Sequence, residues 1–128
     1  MLRIFRRPRL WLGLWLLLIS AVIVSSLLPS TALPKVSFTG IDKVEHFLAY
    51  ATLSAYAVML FATRRVQVRA GIGLVVLGLL MELAQQVLTA SRLADPGDVL
   101  ANTMGVLAGQ ALGMTPAARW MQWVDLRL

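Results

Sequence analysis

Hydrophobic positions in this chain gather into four long runs, about residues 10–28, 44–63, 70–88 and 99–114, with arginines, prolines and short polar clusters between them. Each run is near the roughly 17–25 apolar residues that cross a bilayer as a helix, the last being the shortest. The pattern predicts an all-α membrane protein: a four-transmembrane-helix bundle with short loops. The runs use almost all of residues 1–128, so one transmembrane domain is expected and no separate soluble one. Beyond the fourth run, Arg119, Trp120, Trp123 and Arg127 mark a short C-terminal interfacial helix with aromatic anchors.

The faces of the four helices differ. The first run has no polar stripe and is expected to face lipid on most sides, with Trp11 and Trp15 in the aromatic belt. In the second, Asp42 and His46 stack one turn apart beside a stripe of Glu45, Ala49, Thr52 and Tyr56. In the third, Gly71, Gly78, Glu82 and Gln85 share one face. In the fourth, Ala101, Gly105, Gly109 and Gly113 recur every turn, a small-residue ladder suited to close helix packing within the chain or in a homodimer.

Composition sharpens this picture. The chain is 59% hydrophobic and 14% charged, against roughly 25% charged in a soluble domain, and its mean hydropathy is +0.76. The net charge of +6 would suit nucleic acid, but no soluble module carries it. The arginines instead form blocks flanking the apolar runs: Arg3, Arg6, Arg7 and Arg9 before the first, Arg64, Arg65 and Arg69 between the second and third. Such blocks stay on the cytoplasmic side, which puts both termini inside and the segments 29–42 and 89–98 outside, with 64–69 as an inner loop. The first run has an apolar core longer than that of a signal peptide and is expected to be a retained span. With no cysteine there are no disulfides or thiolate sites to consider.

This topology brings the polar residues of three helices to the outer side: Asp42, Lys43, Glu45, His46, Glu82, Gln85, Gln86, Arg92, Asp95, Asp98 and Asn102. Polar groups at membrane depth are costly and mark function. Simpler roles are open to most. Asp98, after Asp95-Pro96-Gly97, has the look of a helix N-cap; Asn102 suits an interhelical hydrogen bond or a ligand contact; His46 suits a bond to Asp42. Glu82 is the hardest to explain away, since a buried carboxylate needs a partner such as Arg92, His46 or Asn102. Arg92 serves equally well as that counter-ion or as an anion site. As the only histidine, His46 cannot build a multi-histidine metal centre, and although Asp and Glu oxygens could hold a metal no spacing supports it, so no metal is expected, and no cofactor.

Several of these residues resemble the signature of the VanZ-like family of small bacterial membrane proteins. The resemblance lies in Asp42-Lys43-Val44-Glu45-His46-Phe47 with Tyr50, in Glu82-Leu83-Ala84-Gln85, in Arg92, and in Asp98 through Asn102 and Gly105 to Gly109. It covers about residues 42–113. It implies a bacterial inner-membrane protein acting near the cell envelope. The family is named from a protein associated with resistance to the glycopeptide teicoplanin, and the resemblance does not imply that this chain confers resistance.

Two functional classes follow. In the first, the outer polar end binds an anionic envelope lipid, isoprenoid phosphate or glycan- or glycopeptide-related ligand such as a cell-wall precursor: Arg92 and Lys43 engage the charge, while Asn102, Gln85 and His46 hydrogen-bond the rest. In the second, an intramembrane enzyme uses His46 as base or nucleophile, Glu82 as acid and Arg92 to stabilise developing charge. A proton relay through Glu82 and His46 is disfavoured by the apolar inner half of the third run. A purely structural partner of another membrane protein is the remaining alternative.

Overall fold

The computed structural model describes residues 1–28, 40–88 and 95–128. The order of elements is α1 (Pro8–Leu27), α2 (Ile41–Leu60), α3 (Arg64–Leu88), α4 (Pro96–Ala111) and a short α5 (Trp120–Asp125), with 3-10 turns at Leu112–Met114 and Pro116–Arg119. The protein is all-α: among the described residues no strand forms, and one antiparallel bridge joins Leu2 to Phe61.

Local chemistry explains where the helices begin. α1 opens with Pro8 in its first turn, where a missing N–H costs nothing. Gly40 precedes α2 with φ 91, a left-handed conformation that glycine adopts without strain. α4 is capped by Asp95, whose side chain accepts from Gly97 N at 2.7 Å, with Pro96 following. The cap therefore belongs to Asp95 and not to Asp98, which sits inside the first turn.

Residues 64–69, expected as a loop, are instead the first turns of α3, which runs for 25 residues. Charge suggested the loop, but arginine is a good helix former and carries its charge outward on a long stem. The turn between α2 and α3 shrinks to Phe61–Thr63, and the Thr63 carbonyl accepts from Val66 N and Gln67 N at 3.0 Å each.

α2, α3 and α4 alternate in direction and form the centre of the molecule. α2 and α4 touch along most of their length because Gly105 and Gly109 remove the side chains between them. A Cβ on Gly105 would lie 2.3 Å from the Phe47 carbonyl oxygen, and one on Gly109 would lie 2.6 Å from Ala51 O and Ala55 N. Gly113 is less tight, with Val58 Cγ1 the nearest atom at 3.2 Å. Tyr50, Leu53, Leu74 and Val106 fill the core.

α1 is peripheral. None of its residues is buried, and it is held by Ile19 and Val22 against the core and by polar ties. Trp15 Nε1 donates to Leu53 O at 3.0 Å, Tyr56 Oη donates to Trp11 O at 2.9 Å, and Gln85 Nε2 donates to Ser26 O at 2.8 Å. The indole N–H groups of Trp11 and Trp15 turn inward, to Asp125 and to Leu53. α1 and α3 are long and apolar enough to cross a membrane.

The outer surface is apolar where the interior is polar. Ile72, Val76, Leu79, Leu80 and Leu83 of α3 and Leu100, Met104 and Leu107 of α4 are exposed, whereas Gln67, Glu82, Gln85, Asp98, Asn102 and Gln110 are buried. At the end where α1 starts, the first residues lie along the α2–α3 turn, with Arg3 N on Leu60 O at 2.9 Å. α5 closes this end through buried Asp125, which accepts from Trp11 Nε1 at 2.8 Å and from Arg7 N at 3.3 Å. Trp120 and Trp123 face outward, and the Arg127 guanidinium lies 3.4 Å over the Trp123 ring.

Candidate functional site

At the opposite end, three helices deliver the polar residues to one place. α2 contributes Lys43, His46 and Tyr50 from successive turns. α3 contributes Glu82, and the N-terminal turns of α4 contribute Asp98 and Asn102 with the Asp95 cap. Close approach of α3 depends on Gly78, where a Cβ would meet Asn102 Nδ2 at 3.1 Å and Tyr50 Cε1 at 3.3 Å.

The hydrogen bonds fix the roles. His46 Nδ1 lies 3.0 Å from Asn102 Oδ1. An amide oxygen can only accept, so Nδ1 is the donor in this contact and Nε2 is the nitrogen left for other partners. Nε2 points toward Asp98 Oδ2 at 3.8 Å. The other oxygen of Asp98 is 3.3 Å from Lys43 Nζ, which also pairs with Asp95. The Lys43 ammonium, helped by the Gly97 N–H, holds the Asp95 carboxyl below the usual carboxylate range. Lys43 is therefore clamped between two carboxylates, and His46 bonds to Asn102, not to Asp42.

Glu82 is 2% exposed. Its Oε2 accepts from Asp95 N at 3.4 Å, so its partner among the described residues is a backbone amide and neither His46 nor Asn102. Its Oε1 is buried with no hydrogen-bond partner among the described residues, and the same holds for the hydroxyl of Tyr50. Ligand-type atoms of His46, Glu82 and Asp98 lie within 4.8 Å of one another. Gln85 is buried and ties α3 to α1, while Gln86 is exposed. Arg92 lies outside the described residues.

A cleft of about 130 Å³ opens between α1 and α2 beside this cluster, lined by Val22, Ser25, Ser26, Asp42, Glu45, His46, Ala49 and Tyr50. Val22, Ser25 and Ala49 continue into an apolar groove of about 420 Å³ with Leu18, Ala21, Leu48, Thr52 and Leu53. The result is a polar mouth above an apolar channel along the surface of the bundle.

A second polar cluster at the arginine-rich end was not anticipated. Gln110 Nε2 donates to Ser54 Oγ and to Gln67 O, each at 3.1 Å, while its Oε1 accepts from Arg64 Nη1 at 3.0 Å. Ser54 Oγ in turn donates to Val106 O at 2.8 Å, and Gln67 Nε2 to Phe61 O at 2.9 Å. Every polar atom of the Gln110 amide is engaged, so this cluster joins α2, α3 and α4 structurally. Gln67 extends the Gly71–Gly78–Glu82 face by one turn and Gln110 extends the Asn102 face by two, a signal present in the sequence. Tyr50, Leu53, Leu74 and Val106 separate the two clusters.

No family model matches the chain, and neither a curated protein nor a solved structure matches it.

Proposed function

We propose that the chain is a polytopic bacterial inner-membrane protein of the VanZ-like type that binds a membrane amphiphile at its extracytoplasmic end. The observation that carries this reading is the polar cleft continued by an apolar groove between α1 and α2. Such a surface matches a headgroup joined to a lipid or isoprenoid tail, because ligand sites pair an apolar wall with a few placed polar groups.

Three further features support the membrane setting. Leucine, isoleucine and valine side chains ring the outside of α3 and α4 while carboxylates and amides are buried. Exposed apolar surface on this scale marks contact with lipid or another protein. The arginines at residues 3–9, 64–69, 119 and 127 all belong to the end opposite the cleft, which orients that end to the cytoplasm. The resemblance at Asp42-Lys43, His46, Glu82, Gln85, Asp98 and Asn102 falls on the residues gathered at the cleft end.

Asp42 and Glu45 at the mouth are hydrogen-bond acceptors, so a headgroup rich in hydroxyl or amide donors suits it, as in a glycan-bearing cell-wall precursor. A phosphate on the same molecule needs a cation, and Arg92, the anion-site candidate of the sequence, is the residue to test. Thermal unfolding of the detergent-purified protein against isoprenoid phosphates, anionic phospholipids and glycan-bearing lipids tests this, since a ligand of the folded state raises its stability. One class should raise the Tm of wild type, with a smaller shift in Thr52→Phe, which fills the groove, and in Arg92→Ala. Equal shifts in wild type and Thr52→Phe, or none with any compound, would overturn the reading.

The unpartnered Glu82 Oε1 beside the His46 imidazole favours a second reading, an intramembrane hydrolase acting on the bound amphiphile. Turnover of the compound that binds, lost in His46→Ala, is its test.

A further inference from the structure

We propose that His46, Glu82 and Asp98 form a binding site for a divalent first-row metal ion of the Zn2+ or Mn2+ class. The three side chains come from α2, α3 and α4, and their donor atoms lie within 4.8 Å of one another. Donors at roughly 2.1 Å from a tetrahedral ion sit about 3.4 Å apart. Small rotations of side chains already turned toward a common point bring them that close.

Each donor is prepared for this role by its neighbours. Asn102 Oδ1 accepts from His46 Nδ1, which leaves Nε2 as the free nitrogen on the side of Asp98. An imidazole whose far nitrogen is tied to an oxygen acceptor is the usual arrangement of a metal-ligating histidine, and it fixes both the ring and its tautomer. Lys43 occupies one oxygen of Asp98 and leaves the other toward His46. Glu82 offers Oε1.

An acidic cluster alone would not point to an ion. The independent observation is that Glu82 Oε1 is buried, with Glu82 2% exposed, and has no hydrogen-bond partner among the described residues. Tyr50, 1% exposed and one turn along α2 from His46, also has a hydroxyl with no hydrogen-bond partner among the described residues. Buried polar atoms without partners are rare in folded proteins and each calls for an explanation. A cation supplies one for Glu82: it gives Oε1 its partner and adds positive charge beside the Glu82 and Asp98 carboxylates.

The donor set selects the ion. One imidazole nitrogen with two carboxylate oxygens and no thiolate suits Zn2+ or Mn2+; Ca2+ and Mg2+ prefer oxygen alone and more ligands. Three protein donors leave at least one coordination position open. In that position the ion can receive a phosphate or hydroxyl of the amphiphile. This last use rests on the function proposed above, whereas the ion site does not.

The test uses the full chain in detergent, stripped with chelator and titrated with Zn2+ or Mn2+ alone, with no amphiphile present. Elemental analysis and calorimetry should report one ion per chain and an increase in Tm. Glu82→Gln, His46→Ala and Asp98→Asn should each weaken binding by more than tenfold, and Asn102→Ala, acting through His46, by about 10–100-fold. Because a variant may lose its fold, Co2+ substitution in the unaltered protein gives a second readout: a visible spectrum of low coordination number with nitrogen and oxygen donors. An absence of stoichiometric binding, or binding undiminished in folded Glu82→Gln and His46→Ala, would overturn the site. Amphiphile binding by the metal-free protein is scored separately, so either proposal can fail alone.

Discussion

His46 on α2 and Asn102 on α4 meet through Nδ1 and Oδ1 at 3.0 Å, with Asn102 2% exposed. The contact joins the two most closely packed helices at the end where their polar residues gather, and it decides which imidazole nitrogen faces Asp98. One bond therefore has two consequences, one for helix association and one for the chemistry of the site.

The first consequence is measurable by a double-mutant cycle. Interhelical side-chain hydrogen bonds in membrane proteins are worth about 0.6 kcal/mol on average and up to about 1.7. A coupling in that range is expected between His46→Ala and Asn102→Ala, read from reversible unfolding in mixed micelles. Strictly additive single and double variants would mean that the pair does not stabilise the fold.

Glycine tolerance should differ sharply by position. A methyl group on Gly105 or Gly109 collides with α2 backbone, not with movable side-chain ends. Gly105→Ala and Gly109→Ala should each destabilise by about 1–3 kcal/mol, the usual cost of overpacking. Gly73 has nothing within 4 Å of its would-be Cβ, so Gly73→Ala should be neutral or stabilising by up to about 1 kcal/mol through helix propensity. Equal Tm shifts for Gly73→Ala and Gly109→Ala would contradict the α2–α4 packing.

Acid should loosen the junction between the two ends of the chain. Burial pushes the Asp125 carboxyl up, but hydrogen bonds from the Trp11 indole and the Arg6 and Arg7 amides outweigh it, and the group sits below its ordinary value. A carboxyl depressed in the folded state adds stability that is complete above its unfolded value of about 3.9 and is lost as pH falls through the folded value. Near-ultraviolet circular dichroism of the tryptophans should hold from neutral pH to about pH 4 and change below it. Asp125→Asn should remove that acid step; an unchanged acid transition in the variant would assign it elsewhere.

Orientation can be read with introduced cysteines, because the chain has none of its own. Gln86→Cys, exposed at the cleft end, should react in intact cells with a membrane-impermeant maleimide. Thr63→Cys, exposed at the arginine-rich end, should react only after the membrane is opened. The reverse pattern would place the cleft on the cytoplasmic side.

Much of the candidate site is legible in the sequence. Asp42, Lys43, His46, Glu82, Gln85, Asp98 and Asn102 stand out because polar residues in apolar runs are conspicuous, and helix periodicity assigns each a face. Their partners were not legible. The cap fell to Asp95, Lys43 became a clamp between Asp95 and Asp98, and Glu82 met the Asp95 amide. Gln110, Gln67 and Ser54 carry the same periodic signal, but Gln67 sits in the arginine block expected as a loop and none of the three lies at the end where the carboxylates gather, so only the meeting of three helices reveals them as a cluster.

The sequence by itself determined the helical class, the approximate extent of each helix, the clustering of arginines between the apolar runs and the small-residue seam of α4. These depend on local periodicity and composition, which a linear chain displays directly. Only the tertiary structure decided which donors face which acceptors and which oxygen of Glu82 is buried without a partner among the described residues. Those outcomes depend on the rotation and axial offset of one helix against another. Both are set by close contacts such as Gly105 on the Phe47 carbonyl and Gly78 on Asn102, contacts between residues far apart in the chain.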